Sequence, residues 1–192
     1  MLETIKQLDR QLLLAINHLR SPALDAVMVF ASDRQVWLPV YALLIGWFIY
    51  VFRRRAILLL PLVLAAVGLA DLITSRLFKP FFARLRPCHD AAVFPYLYLP
   101  DGCGGQFGFL SSHASNSMAL AVFMGTMLPK GRFKVLRLSV FGWAVLLSYS
   151  RVYLGAHYPT DVLGGALLGG LLGVLAGFAY RYWAPRWQQL NP

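Results

Sequence analysis

Charge is what this chain has least of. Only 14% of its 192 residues are Asp, Glu, Lys or Arg, against roughly a quarter in a soluble domain, while 58% are hydrophobic; an ordinary water-soluble fold is excluded. Acidic residues are scarcer still, 8 against 18 Lys and Arg, for a net charge of +10. Cysteine is limited to two residues, with no Cys-x-x-Cys spacing, so neither a disulfide-rich scaffold nor a cysteine metal site is expected. No repeat, low-complexity tract or linker divides the sequence, which reads as one domain, 1–192. A cleavable leader is not expected either: Glu3, Lys6, Asp9 and Arg10 interrupt the first 20 residues and no small-residue cleavage site follows.

What the chain does have is apolar length. Runs near 36–52, 56–77, 112–128, 135–153 and 160–182 suit a hydrocarbon layer about 30 Å thick at about 1.5 Å per residue. The expected fold class is all-α: a polytopic membrane helix bundle with five transmembrane helices. In "MLETIKQLDRQLLLAINHL", Ile5, Leu8, Leu12, Ala15, Ile16 and Leu19 recur at helical spacing, with Lys6, Asp9 and Arg10 elsewhere on the wheel. That pattern predicts an amphipathic helix in the outer interface. A short helix over 22–32 is predicted behind Ser21-Pro22, a cap followed by a first-turn proline. Alternatively, 5–32 forms a sixth, interrupted crossing that would move the N-terminus to the other side.

Orientation follows from basic clusters in short loops. Arg53, Arg54 and Arg55, then Lys130, Arg132, Lys134 and Arg137, then Arg181 and Arg186 fall on one face without acidic residues. That face is expected to be cytoplasmic. The other face carries nine basic residues as well, but also all eight acidic ones with the adjoining membrane, leaving about +1 there against +9 inside. Cys88 and Cys103 lie in the long outer segment. They either form one disulfide, closing a loop of about 16 residues worth roughly 3 kcal/mol, or remain two free thiols.

The outer segment, 79–110, has several prolines and a Gly-Cys-Gly-Gly turn, so it is not helical throughout. Long connections of this kind are usually functional. Three clusters then sit at span ends and face outward. They are Lys79 with Arg86-Pro87, Ser111-Ser112-His113, and Ser150-Arg151 followed by His157 and Asp161. Two arginines and a lysine suit phosphate oxygens, and a helix start at 111–113 adds backbone N–H donors. Two histidines allow one to attack phosphorus and the other to protonate the departing oxygen. Asp161, four residues after His157, is placed to orient it; the competing reading is a simple helix cap. Asp71 and Arg76 are expected to form a structural ion pair.

Read as Lys-x6-Arg-Pro, Ser-x-His and Ser-Arg-x5-His-x3-Asp, the chain resembles the type 2 phosphatidic acid phosphatase (PAP2) family over roughly 56–180. That family includes membrane lipid phosphatases and shares its core with vanadium haloperoxidases. The resemblance implies that His157 is a nucleophile forming a phosphohistidine, that Asp161 supports it and that His113 is the general acid. It also implies that Lys79, Arg86, Ser111, the backbone at Ser112 and Arg151 hold the phosphoryl oxygens, with no cofactor and no metal. Where the family usually has Pro-Ser-Gly-His, this chain has Leu110-Ser111-Ser112-His113; a conformation available only to glycine would be strained at Ser112.

The expected activity is hydrolysis of a phosphorylated lipid at the periplasmic face of a bacterial inner membrane. Undecaprenyl diphosphate is favoured because the chain is a compact version of the fold, with phosphatidylglycerophosphate and lipid A as alternatives. A lipid phosphotransferase and a non-enzymatic protein that binds or transports anionic lipid are the rival classes. The expected partners are the lipid substrate and the bilayer, with no nucleic acid.

Overall fold

A computed structural model describes residues 2–129 and 131–190, without the side chains of 2 and 186–190. Lys130 and the Arg186 side chain, two of the basic residues assigned to the inner face, therefore lie outside the described residues. The elements are α1 (Leu2–Asn17), α2 (Pro22–Ser32), α3 (Arg34–Phe52), α4 (Ala56–Leu72), α5 (Lys79–Phe82), α6 (Ser112–Met127), α7 (Lys134–Tyr153) and α8 (Pro159–Leu190). No strand occurs among the described residues, so the all-α class holds; one isolated antiparallel bridge pairs Leu85 with Phe107.

Three stretches are long and apolar enough to cross a membrane: Arg34–Phe82, Lys134–Tyr153 and Pro159–Pro185. A fourth exists if α1 and α2, bent by 116° at their junction, count as one. The first of these folds back on itself. Arg53 at φ 48° breaks the helix, and Phe48 of α3 packs against Leu59 and Val63 of α4 beneath Phe123, Met124 and Tyr180. At 16 residues, α6 falls below the length of the other candidates.

The α6–α8 contact organises the bundle. Without a solvent-driven force between helices in lipid, close packing of small residues must supply the attraction. On α8, Gly165 lies against the Ser111 carbonyl and Gly169 against the Ser115 carbonyl, so closely that a Cβ at either would collide with α6 backbone. Both glycines belong to the run "GGALLGGLLG", whose small residues form this close face. On the other side of the same helix, Leu167, Leu171 and Leu175 are exposed, as a lipid-facing stripe requires.

Helix α1 turns its polar stripe inward. Asp9, Leu13 and Asn17, at i, i+4 and i+8, are buried, whereas Ile5, Leu8 and Leu12 are exposed. Asn17 makes three hydrogen bonds: its amide donates to the carbonyls of Tyr98 (2.8 Å) and Tyr153 (2.7 Å) and accepts from Tyr98 N (2.9 Å). Such polar anchors tie the helix to the rest of the protein while its apolar residues stay exposed. Helix α2 starts as predicted, with the Ser21 hydroxyl accepting from Leu24 N.

Candidate active site

The long segment between α5 and α6 is built to present arginines. Ala83, left-handed at φ 45° and ψ 28°, stops α5. The chain then runs extended, with Arg86 N donating to Gln106 O (3.0 Å) and Gly108 N to Arg84 O (2.8 Å). In extended backbone, residues two apart share a face, so Arg84 and Arg86 point to the same side. Two glycines let the loop close over them. A Cβ on Gly104 would meet Arg86 Nη1 at 2.7 Å, and one on Gly108 would meet Asp161 Oδ2 at 3.0 Å. Cys88 and Cys103 form a disulfide, with Cα atoms 5.9 Å apart, which clamps this part of the loop.

The turn from α7 into α8 carries the histidine and the aspartate. Gly155 at φ 69° allows Ala156 N and His157 N both to donate to Arg151 O (3.0 and 3.1 Å). Pro159 opens α8, and Asp161 Oδ2 accepts from Tyr158 N at 3.0 Å, the reach-back half of a capping box. The same oxygen lies 3.6 Å from His157 Nδ1. The cap reading of Asp161 is met by its bond to Tyr158 N, whereas its approach to His157 Nδ1 is longer than a hydrogen bond, and that nitrogen has no hydrogen-bond partner among the described residues. Its other oxygen accepts from Arg84 Nη1 at 2.7 Å, and its main-chain carbonyl accepts from Ser111 N at 3.0 Å.

All eight residues expected at the site converge here. His157 is 1% exposed. Burial foremost, then the positive charges of Arg86, Arg151 and Lys79, hold its imidazole well below the usual range. A neutral imidazole leaves one ring nitrogen with a free lone pair, the form a nucleophile needs. Burial also holds Arg86 below its ordinary value, with Asp161 opposing; such a cation, short of solvent, favours an anionic ligand. Arg151 is bound through Nη1 to the Ser32 hydroxyl at the end of α2 and lies 3.6 Å from Asp101. Lys79 Nζ donates to Ser112 Oγ at 3.0 Å, and Ser112 Oγ shares a 2.8 Å hydrogen bond with Thr74 Oγ1.

Two expectations need correction. Ser112 is not strained: it stands in the first turn of α6, and among the described residues the positive-φ non-glycine ones are Arg53 and Ala83. Its side chain is useful there, because it receives Lys79. Nor do Asp71 and Arg76 form an ion pair among the described residues; Asp71 Oδ1 accepts instead from Asn116 Nδ2 at 3.2 Å. Ser111 is used locally, its hydroxyl capping α6 through Ala114 N.

Sequence reasoning missed a further layer. Arg84 Nη2 reaches Asp9 Oδ2 at 2.5 Å, and Asp9 also accepts from Thr160 N (2.9 Å) and Thr160 Oγ1 (2.5 Å). Arg84 stacks over the Tyr158 ring, 4.2 Å from its centroid. His113, the remaining member of the set, lines a cavity of about 470 Å³ that runs between α3, α4, α6 and α7. Arg34, Trp37, Phe48, Leu64 and Leu120 are among its lining residues. A buried imidazole backed by a carboxylate, a fork of three cations and a second imidazole opening onto an apolar cleft can hold a phosphate whose alcohol carries a hydrocarbon tail.

The family model described as "PAP2 superfamily" matches residues 56–188. The chain is 33% identical over 195 residues to a lipid A 4'-phosphatase of Bacteroides thetaiotaomicron, covering 100% of this chain and 85% of that protein. It is 33% identical over 164 residues to an undecaprenyl-diphosphatase of Sulfolobus acidocaldarius, covering 84% and 73%. In structure it is similar to a transmembrane PAP2 type phosphatidylglycerolphosphate phosphatase from Bacillus subtilis, with a TM-score of 0.71, 29% identity, and coverage of 93% and 87%.

Proposed function

The chain belongs to the PAP2 superfamily, and on that premise we propose that it is a multi-pass lipid phosphatase working through a phosphohistidine, with lipid A as substrate. The observation that carries the reaction is the placement of His157 between the Asp161 carboxylate and the positive charges of Arg86, Arg151 and Lys79.

In the proposed reaction, Lys79, Arg86 and Arg151 hold the phosphoryl oxygens, assisted by the Ser111 hydroxyl and the Ser112 backbone at the start of α6. Ser111 N–H already serves Asp161, so the free donor there belongs to Ser112. His157 Nε2 attacks phosphorus while the bond from phosphorus to the lipid oxygen breaks. His113 gives its proton to that oxygen, and the lipid alcohol leaves into the cleft. Water, deprotonated by His113, then attacks the phosphohistidine, releasing inorganic phosphate and restoring both rings. Asp161 holds the Nδ1 proton of His157 throughout and offsets its growing positive charge. No step calls for a cofactor or a metal.

The expectation of undecaprenyl diphosphate rested on compactness alone. Lipid A is preferred because the similarity to the lipid A 4'-phosphatase runs over the full chain, whereas that to the undecaprenyl-diphosphatase covers 84% of it. We further propose five crossings, α3, α4, α6, α7 and α8, with α1 and α2 at the outer surface of a bacterial inner membrane and the site facing the periplasm. The basic Arg53–Arg55 turn at the far end from the site supports that orientation.

Phosphate release by detergent-purified protein from lipid A, undecaprenyl diphosphate and phosphatidylglycerophosphate, with EDTA present, tests the proposal. Release by wild type that vanishes in His157→Ala is expected, highest on lipid A. Silence on all three lipids would remove the phosphatase reading, and a phosphorylated second lipid in place of free phosphate would make the protein a transferase.

A further inference from the structure

The cleft beside His113 is not uniformly apolar. Where it meets the site, Asp71, Asn116 and Ser117 line it together with His113, and the hydrocarbon-like wall begins only beyond them. Asp71 belongs to α4, an apolar helix where a carboxylate is costly and stands out as a functional candidate. It has no cationic side chain within ion-pair distance among the described residues; its one side-chain donor is Asn116 Nδ2, which takes Oδ1 at 3.2 Å. A carboxylate offers about four lone-pair sites, so most of its accepting capacity is uncommitted. Asn116 Oδ1, its orientation set by that same contact, has no protein partner either. Two residues after Asp71, the chain widens into a π-helical turn over Ile73–Phe78, an irregularity common at functional sites.

We propose that this set of acceptors is a recognition subsite for hydroxyl or amide N–H groups on the leaving alcohol, so that the enzyme selects a sugar-based lipid over a polyprenyl one. This rests on the lipid phosphatase reading and deepens it. The chemistry separates the candidates clearly. When a glucosamine-based lipid is the leaving group, ring hydroxyls and an acylated amine lie within a few bonds of the scissile oxygen, and each can donate to Asp71. A polyprenyl phosphate leaving group brings no donor other than its own acidic proton, and sets a second anion against the Asp71 carboxylate. Like charges at short range and an unmet buried acceptor both count against it.

The test is the ratio of kcat/KM on lipid A to kcat/KM on undecaprenyl diphosphate in wild type, Asp71→Asn and Asp71→Leu. The ratio is the right quantity because Asp71 also acts electrostatically on Lys79, so any substitution would alter phosphate binding for every substrate. The expected result is a ratio well above one in wild type that falls roughly tenfold or more in Asp71→Leu, as loss of a hydrogen bond to a charged group implies, with Asp71→Asn in between. A ratio unchanged in both variants, or a wild type that prefers undecaprenyl diphosphate, would overturn the proposal while leaving the phosphatase intact. Phosphate release from neither lipid by wild type would remove the parent reading, and the subsite with it.

Discussion

Asp9 Oδ2 and Arg84 Nη2 are 2.5 Å apart, although 75 positions separate them in the chain. Arg84 in turn holds Asp161, and Asp161 faces His157. The amphipathic helix α1 is therefore connected to the His157 imidazole through two side chains, with Thr160 closing the triangle between Asp9 and Arg84.

The first prediction follows from this chain of contacts. Asp9 is a positioning residue: it touches no substrate, but it fixes the guanidinium that fixes Asp161. Asp9→Ala is expected to lower kcat about tenfold, equivalent to about 1.4 kcal/mol of barrier, with KM little changed. Arg84→Lys should lose at least as much, because one ammonium cannot reproduce a fork that reaches Asp9, Thr160 and Asp161 at once. Steady-state phosphate release, with a pH profile for each variant, checks this. A rise in KM at constant kcat would place Asp9 in substrate binding instead.

Most of the site was legible in the sequence, and the part that was not has a physical explanation. Lys79, Arg86, His113, Arg151, His157 and Asp161 stand at fixed spacings beside helix ends, so antiparallel packing had to bring them together. Asp9 was visible only as a polar residue on an amphipathic wheel, where a solvated face is the ordinary expectation. Its burial depends on a partner in another part of the chain. Arg84 carried a signal that was available: in "ARLRP" it lies two residues before Arg86, and an extended reading of that segment puts both on one face. Arg34 and Asp71 could not be linked to the site, because only the fold-back at Arg53 brings the start of α3 beside the end of α4. The strain expected at Ser112 came from comparing motifs residue by residue; the helical backbone there accepts any side chain.

Acid stability should report His157 directly. Its folded-state affinity for protons is depressed, first by burial and then by Arg86, Arg151 and Lys79, whereas in the unfolded chain it titrates near its ordinary 6.5. Below that pH the unfolded state binds the extra proton, so stability is fully present above about 6.5 and falls with decreasing pH, by up to about 1.4 kcal/mol per unit. In His157→Gln this contribution disappears. Thermal unfolding between pH 7 and 5 should show a shallower acid decline for the variant than for wild type; parallel declines would mean that the ring is protonated in the folded protein.

Reduction of the disulfide should affect substrate binding as well as stability. The bond joins Cys88, two residues after Arg86, to Cys103, next to Gly104, whose backbone lies against the Arg86 guanidinium. Opening it releases a segment of 15 residues' separation, worth roughly 3 kcal/mol in the chain-entropy model, and frees Arg86 to move. Added reductant is expected to lower Tm and raise KM in wild type. The Cys88→Ser/Cys103→Ser double variant should show both changes without reductant and no further response to it. An unchanged KM would mean that Arg86 is held by its bond to the Phe107 carbonyl alone.

The α6–α8 contact makes the last prediction, and it separates glycines of one chain into two kinds. At Gly169 a Cβ would collide with the carbonyl, carbon and Cα of Ser115, all backbone, so nothing flexible can give way. Gly169→Ala must push the two helices apart, at a cost of about 1–3 kcal/mol for overpacking, and Ser115 lies only two residues beyond His113. At Gly68, in the apolar middle of α4, a Cβ meets nothing within 4 Å, and Ala there gains up to about 1 kcal/mol of helix propensity. Thermal unfolding and phosphate release of the two variants in the same detergent should therefore diverge: Gly169→Ala loses both Tm and activity, while Gly68→Ala keeps its activity with Tm equal or higher. If Gly169→Ala were as stable and active as wild type, α6 and α8 could separate without cost, and close packing of small residues would not be what holds His113 opposite His157.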